Sequence, residues 1–173
     1  MREQNIIIFG GPDRCGKTTI AKELSKVIDV PYFKPTNQRE FAMNDPGMFE
    51  LQTRWGEPKL LDFIRQTHHS VIMDRSFVCD YAYSKVLGRN TAWSTIDALD
   101  EEYATLNALL VLTLRKSYAG RADDEWKVIN EEKLKRLDEA YRHYAMATKM
   151  RYLILETDDE DLEEQIRDIT MYL

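Results

Sequence analysis

Residues 11–18, GPDRCGKT, decide how the rest of this 173-residue sequence is interpreted. They satisfy the pattern G-x-x-x-x-G-K-[ST], in which glycines let successive backbone N–H groups turn inward and form a cup for anions. The apolar run Ile6–Ile8 precedes them and apolar residues at helical spacing follow, so the strand, loop and helix that this pattern requires are all predicted. The sequence therefore predicts a triphosphate-binding loop, in which Lys17 reaches the β- and γ-phosphates and Thr18 offers its hydroxyl to Mg²⁺.

Neighbouring side chains add detail to this loop. The guanidinium of Arg14 could lie over the γ-phosphate and neutralise charge that develops there, or it could be a solvated arginine. Thr19 could contact an α-phosphate. A carboxylate such as Asp13 is unfavourable beside phosphates unless it holds Arg14 or a sugar hydroxyl, or points outward into solvent. The residues predicted to bind the triphosphate are Gly11, Asp13, Arg14, Cys15, Gly16, Lys17, Thr18 and Thr19.

Composition and charge exclude several classes of protein. With 24 basic and 30 acidic residues the net charge is −6, so an extended basic surface that binds nucleic acid is not expected. Cys15 and Cys79 form no CxxC pair, which leaves a zinc site or a disulfide framework without support. No apolar run approaches the ~18 residues of a membrane span. We therefore expect a cytoplasmic protein that does not bind membranes.

Strands and helices alternate along the whole sequence, which predicts an α/β fold with parallel strands covered by helices. More specifically, we expect one domain over residues 1–173 with a three-layer P-loop NTPase fold and a five-stranded parallel sheet. Helix ends are predicted at Gly88, at a cap on Asn130 and at a capping box over residues 157–160, and a helix over about 47–66 is expected to be interrupted near Gly56 and Pro58. The predicted strands cover residues 5–9, 30–33, 70–73, 108–114 and 152–155.

A second set of candidates lies at the end of the third predicted strand. Ligands of such sheets bind beyond the carboxyl ends of the strands, where Asp74 and Arg75 follow residues 70–73. Asp74 could hold Mg²⁺ through water or accept a proton from a hydroxyl, and Arg75 could clamp an acceptor phosphate, although a structural ion pair is the alternative. Lys34 could touch the same phosphate or be solvated. Tyr83 could flank a base or pack in the core.

Two further features each have an alternative structural explanation. Arg54 shares a helix face with Glu50 at i, i+4, so it forms either a surface ion pair or a contact to a substrate base. Residues 115–129 are polar and carry cations, including Arg115 and Arg121. They form either a lid that closes over phosphates or a solvated surface loop.

These motifs resemble those of the thymidylate kinases, within the wider group of nucleoside and nucleoside-monophosphate kinases. Residues 11–19 fit G-x-D-R-x-G-K-[ST]-T, Arg54-Trp55 fits the Arg-Trp before the third strand, and residues 74–83 follow the frame Asp-Arg-Tyr-x-x-Ser-x-x-Ala-Tyr with Ser76 and Cys79 as departures. The resemblance covers residues 5–90. It implies that Lys17, Arg14 and Thr18 serve ATP and magnesium, Asp13 the acceptor's 3′-hydroxyl, Arg75 its 5′-phosphate, Asp74 the magnesium waters and Arg54 the base.

Three functions are compatible with the sequence. The first is an ATP- and Mg²⁺-dependent kinase that phosphorylates a nucleoside monophosphate, with Arg14, Lys17, Asp74 and Arg75 as the catalytic residues. The second is a deoxynucleoside kinase in which Asp74 acts as general base. The third is a nucleotide-binding switch without transfer chemistry. Nucleotides are the expected partners, and a homodimer is compatible with the sequence.

Overall fold

The computed structural model describes residues 4–34, 47–119, 130–158 and 161–173. Its centre is a parallel sheet in which every pair of neighbouring strands runs in the same direction. The strand order is β2-β3-β1-β4-β5, so β2 and β3 lie on one side of β1 and β4 and β5 lie on the other. The strands are β1 (Ile6–Gly10), β2 (Tyr32–Phe33), β3 (Val71–Asp74), β4 (Leu109–Leu114) and β5 (Arg151–Glu156).

Helices connect these strands and cover both faces of the sheet. None of the helices in the described ranges is long and apolar enough to cross a membrane. The helices are α1 (Lys17–Ile28), α2 (Gly47–Leu51), a π-helical turn (Gln52–Gly56), α3 (Glu57–Thr67), α4 (Phe77–Leu87), α5 (Trp93–Thr105), α6 (Glu131–Ala147) and α7 (Leu162–Thr170).

The alternation of side chains along β1 divides the core into two layers. Ile6 and Ile8 pack with buried residues of α3, α4, α5 and α6, whereas Ile7 and Phe9 pack with α1 and α7. All five residues of β1 are buried, as expected for a central strand with helices on both faces. The predicted three-layer α/β fold with five parallel strands is therefore confirmed.

The register brings two polar strand ends together. Phe9 of β1 pairs with Asp74 of β3, and Gly10 pairs with Leu112 of β4. The loop that follows Gly10 and the segment that follows Asp74 therefore leave the same edge of the sheet side by side. This is the edge at which open parallel sheets bind their ligands.

Two local predictions differ from the structure. The interruption expected near Gly56 is a π-helical turn, through which the backbone stays helical from α2 into α3. The capping box over residues 157–160 is wrong: the hydroxyl of Thr157 donates to the carbonyl of Leu114, and Asp161 caps α7 by accepting from the N–H of Glu164. The predicted cap on Asn130 and the left-handed end at Gly88 are both confirmed.

A buried carboxyl group begins α3. Glu57 is only 2% exposed, and its Oε2 has no hydrogen-bond partner within the described residues. Burial raises the pKa of Glu57 from 4.5 to about 8, nearby Asp80 acts in the same direction, and a hydrogen bond with the backbone of Phe77 opposes them. Glu57 is therefore largely protonated in the folded protein at neutral pH.

Glu57→Gln is expected to flatten the pH dependence of stability. Between pH 4.5 and about 8 the folded state holds a proton on Glu57 that the unfolded chain does not, so wild-type stability falls as the pH rises through this range. The free energy of unfolding of the variant, relative to the wild type, should increase by about 2–4 kcal/mol from pH 5 to pH 8, because each pKa unit corresponds to about 1.4 kcal/mol. Urea denaturation of both proteins at several pH values measures this difference. Parallel pH profiles would contradict it.

Candidate active site

The loop after β1 has the backbone of an anion-binding cup. Gly11 has a φ of 136°, and a Cβ at this position would lie 2.2 Å from the carbonyl oxygen of Thr113. Gly16 has a φ of 78° and is the cap residue of α1, so no side chain at the cap position accepts from the first N–H groups of the helix. Free N–H groups at a helix N-terminus bind anions, because the helix dipole adds to their partial charges.

Lys17 is folded into this loop. Its side chain is 5% exposed and its ammonium donates to the carbonyl oxygen of Pro12. Burial lowers the pKa of Lys17, the charge of Arg75 acts in the same direction, and Asp13 opposes them. The ammonium therefore lies within the loop, where it is bonded to a backbone carbonyl. A phosphate oxygen is charged and would accept a stronger hydrogen bond from it than this carbonyl does.

Asp74 at the end of β3 joins the loop to the strand beside it. Its Oδ2 accepts from the hydroxyl of Thr18 at 2.5 Å and from that of Tyr32 at 2.8 Å, and lies 3.5 Å from the ammonium of Lys34. Burial acts to raise the pKa of Asp74, but the hydrogen bonds from Thr18 and Tyr32 and the charges of Lys34 and Lys17 lower it overall. Asp74 is therefore an ionised carboxylate at neutral pH.

The residues predicted to hold magnesium fit that ion. Thr18 and Asp74 are in direct contact, and Asp74 Oδ1 is buried without a hydrogen-bond partner within the described residues. Magnesium binds proteins through one or two oxygen ligands plus water and substrate phosphates, so one hydroxyl and one carboxylate beside a phosphate loop suffice.

A second cluster faces the loop from the residues after β3. The guanidinium of Arg75 forms an ion pair with Asp13, whose other oxygen accepts from the hydroxyl of Tyr83 at 2.7 Å. Burial acts to raise the pKa of Asp13, but the charges of Arg75 and Lys17 and the bond from Tyr83 outweigh it and hold the pKa well below its usual value. Arg75 has a φ of 79°, and its N–H donates to the carbonyl of Phe9 at 3.1 Å. The hydrogen bond to Phe9 holds this left-handed backbone, and with it Arg75, beside the loop.

The remaining predicted residues lie at the rim of this site or away from its centre. Arg54 is 48% exposed and forms an ion pair of 2.6 Å with Glu50, so the surface pair that its spacing allowed is present, and its contact to a base stays a prediction. Thr19 and Arg14 are exposed, whereas Cys15 is buried. Arg121 lies outside the described residues.

Arg115 connects the base of the predicted lid to the phosphate loop. Its Nε donates to the carbonyl of Arg14 at 3.2 Å, and its Nη1 lies 3.7 Å from Asp158. Beside it, the hydroxyl of Tyr118 donates to Asp138 at 2.6 Å and contacts the sulfur of Cys15 at 3.7 Å. The described residues 115–119 are therefore tied to the loop, while a closing motion of the segment stays a prediction.

Sequence reasoning missed several residues of the site. Tyr32 reaches Asp74 because β2 pairs with β3, and no motif marks it. Tyr118 and Asp138 lie 20 residues apart and meet only through the fold. Arg89 stacks on Phe49, 40 positions earlier, with 4.4 Å between its guanidinium carbon and the ring centre. The sequence signal that could have drawn attention to Arg89 was its position as a cation just after the helix end predicted at Gly88.

The fold and the loop geometry define this chain as a P-loop α/β domain of the nucleotide-binding type. The AAA domain family matches it over residues 5–165, and the chain belongs to that family. No curated protein matches the sequence.

Solved structures share this fold over almost the whole chain. YorR from Bacillus subtilis, in complex with phosphorylated GDP, superposes with a TM-score of 0.68 at 22% identity, covering 96% of this chain and 94% of that one. Deoxyadenosine kinase from M. mycoides with the products dCMP and dCDP gives a TM-score of 0.61 at 18% identity, with 96% and 97% covered. The same kinase with bound dATP gives 0.59 at 20% identity, with 97% of each chain covered. At these identities the likeness establishes the fold.

Proposed function

We propose that this protein is a kinase that transfers the γ-phosphoryl group of ATP to a nucleoside monophosphate, with a pyrimidine deoxynucleotide such as dTMP as the candidate acceptor. The observation that carries the proposal is the position of Arg75, which faces the phosphate loop and pairs there with Asp13. A partly buried arginine beside a triphosphate cup would provide a second site for an anion, adjacent to the first.

The roles of the residues follow from their chemistry. Lys17 and the loop N–H groups would bind the donor phosphates, and Arg14 would neutralise charge on the moving group. Arg75 would bind the acceptor phosphate, and Asp13, which already accepts from Tyr83, would accept from a sugar hydroxyl. Mg²⁺, held by Thr18 and by Asp74 through water, would supply charge neutralisation at the donor phosphates.

The protonation state of Asp74 supports this function over a nucleoside kinase in which Asp74 is the general base. A general base works best with a pKa near the operating pH. The pKa of Asp74 is lowered, because its hydrogen bonds and the neighbouring lysines outweigh burial, and its Oδ2 already accepts from two hydroxyls. Asp74 is therefore better suited to hold magnesium than to take a proton.

A deoxynucleoside kinase remains the second candidate because a solved structure with the same fold is a deoxyadenosine kinase. A panel of nucleosides and nucleoside monophosphates, each assayed with ATP and Mg²⁺ for ADP release, separates the two functions. We expect turnover with at least one deoxypyrimidine monophosphate and none with nucleosides. Turnover with nucleosides alone would favour the second candidate.

The same panel tests whether there is any transfer chemistry. Hydrolysis of a nucleoside triphosphate that no acceptor accelerates would contradict both kinases and favour a nucleotide-binding switch. Thermal shifts with ATP, with an acceptor and with both provide the control, because a ligand stabilises a folded protein in proportion to its occupancy.

A further inference from the structure

Arg89 is a cation of the site that the proposed chemistry does not use. It follows Gly88, whose left-handed backbone ends α4, and it is half-buried. Its guanidinium carbon lies 4.4 Å from the ring centre of Phe49 and 5.9 Å from that of Tyr83. The two rings therefore hold the guanidinium between α2 and α4.

The contacts of Arg89 with the described residues are aromatic. Within the described ranges it forms no ion pair, and its contacts are the two rings. The charge of Asp80 acts on Arg89, but that carboxylate already accepts from Thr53, Ser84 and Thr91. Burial lowers the pKa of Arg89, while Tyr83 and Asp80 oppose that effect. A guanidinium that lies over an aromatic ring keeps N–H donors that a ligand can use.

The position of Arg89 points to the acceptor side of the site. The ring of Tyr83 contacts two guanidinium groups. The guanidinium carbon of Arg75 lies 5.7 Å from the ring centre, and that of Arg89 lies 5.9 Å from it. The hydroxyl of the same tyrosine donates to Asp13 of the phosphate loop. The ring of Tyr83 therefore lies between Arg89 and Asp13 of the phosphate loop.

We propose that Arg89 is a specificity-determining residue that binds the heterocyclic base of the acceptor nucleotide by donating N–H groups to acceptor atoms on its edge. This inference rests on the proposed function and names the part of the substrate that Arg89 contacts. The guanidinium is a rigid fork of donors, and its contact with the ring of Phe49 positions that fork. A lysine keeps the charge and loses that geometry.

Arg89→Lys and Arg89→Met test the inference, with Lys85→Met as the control. Lys85 lies on α4, four residues before Arg89, and makes an equivalent contact, 4.8 Å from the ring centre of Trp93, which is not among the site residues. We expect both Arg89 variants to raise KM for the best acceptor about 10- to 100-fold, the range of one bidentate contact to a base. The kcat and the KM for ATP should stay near wild type, and poor acceptors should be affected much less. Lys85→Met should leave discrimination among bases unchanged.

Equal losses for every base would overturn the inference, since they indicate a phosphate contact or a structural role. Unchanged discrimination would overturn it as well. Calorimetric titration of the nucleoside monophosphates into the protein with a non-hydrolysable ATP analogue gives the same comparison without catalysis. The wild-type protein could discriminate among bases in binding and yet show no turnover. If both Arg89 variants then lost that discrimination, the role of Arg89 would be supported and the kinase activity contradicted. Wild-type protein that binds no monophosphate would overturn both.

Discussion

Lys17→Met is expected to reduce kcat for phosphoryl transfer by roughly 10²–10³-fold, the loss typical of removing one positioned donor to a transition state. The ammonium of Lys17 lies inside the phosphate loop, bonded to the carbonyl of Pro12. In the proposed reaction it exchanges this carbonyl for phosphate oxygens. Methionine has a similar length and no charge, so the loop keeps its packing and loses the donor.

The same substitution should leave the fold intact or stabilise it. The pKa of Lys17 is lowered because the burial of its ammonium disfavours the charged form, and Arg75 repels it. Replacing a buried charge by an apolar side chain of similar volume is often neutral or stabilising. We therefore expect a wild-type or higher midpoint in thermal unfolding together with the loss of activity.

A matched control is Lys26→Met, because Lys26 is 72% exposed and lies on the same helix. Its kcat should equal that of the wild type. A Lys17→Met protein that retains full kcat would contradict the assignment of the loop as the donor site. Simultaneous unfolding would show that the bond between Lys17 and Pro12 has a structural role larger than we infer.

Gly11→Ala is expected to destabilise the protein by roughly 3–5 kcal/mol, the sum of backbone strain and overpacking at one position. The backbone of Gly11 has a φ of 136°, which L side chains rarely adopt. The new Cβ would also lie 2.2 Å from the backbone oxygen of Thr113, and a backbone atom in a buried strand cannot move aside cheaply. Relief requires the loop to leave β4, which would also reduce ATP affinity.

Gly88→Ala is the control that separates strain from contact. Gly88 also has a positive φ, of 64°, but a Cβ there would meet no atom within 4 Å. Its substitution should cost only about 1–2 kcal/mol, the penalty of the left-handed region. Urea denaturation at constant slope measures both values. Equal costs at the two positions would contradict the role assigned to Thr113.

Local patterns predicted the parts of this molecule whose cause is local. The phosphate loop followed from glycine spacing between a β-branched run and an amphipathic helix. Asp74 and Arg75 were found because they directly follow a short apolar run, and the parallel register then brought Asp74 to Thr18. The cap on Asn130 followed from one side chain and the next turn of helix.

The parts that sequence reasoning missed depend on contacts between distant residues. Tyr32 enters the site only because β2 pairs with β3 in one register. Arg89 meets Phe49 across the space between two helices. Thr157 matched a capping pattern, but β5 continues to Glu156 and the hydroxyl of Thr157 is taken up by Leu114 of the neighbouring strand. A tertiary hydrogen bond thus overrode a local preference.

The π-helical turn between α2 and α3 sets the winding of the segment before it. A π turn holds one residue more than an α-helix needs, and each residue of an α-helix rotates the chain by about 100°. Thr53 thereby reaches Asp80 at 2.8 Å in the interior, while Trp55 points outward and is 61% exposed. Losing one residue here would restore ordinary winding and swing Phe49 about the helix axis, away from Arg89. At this turn a change of chain length would therefore displace Phe49 even if every side chain were kept.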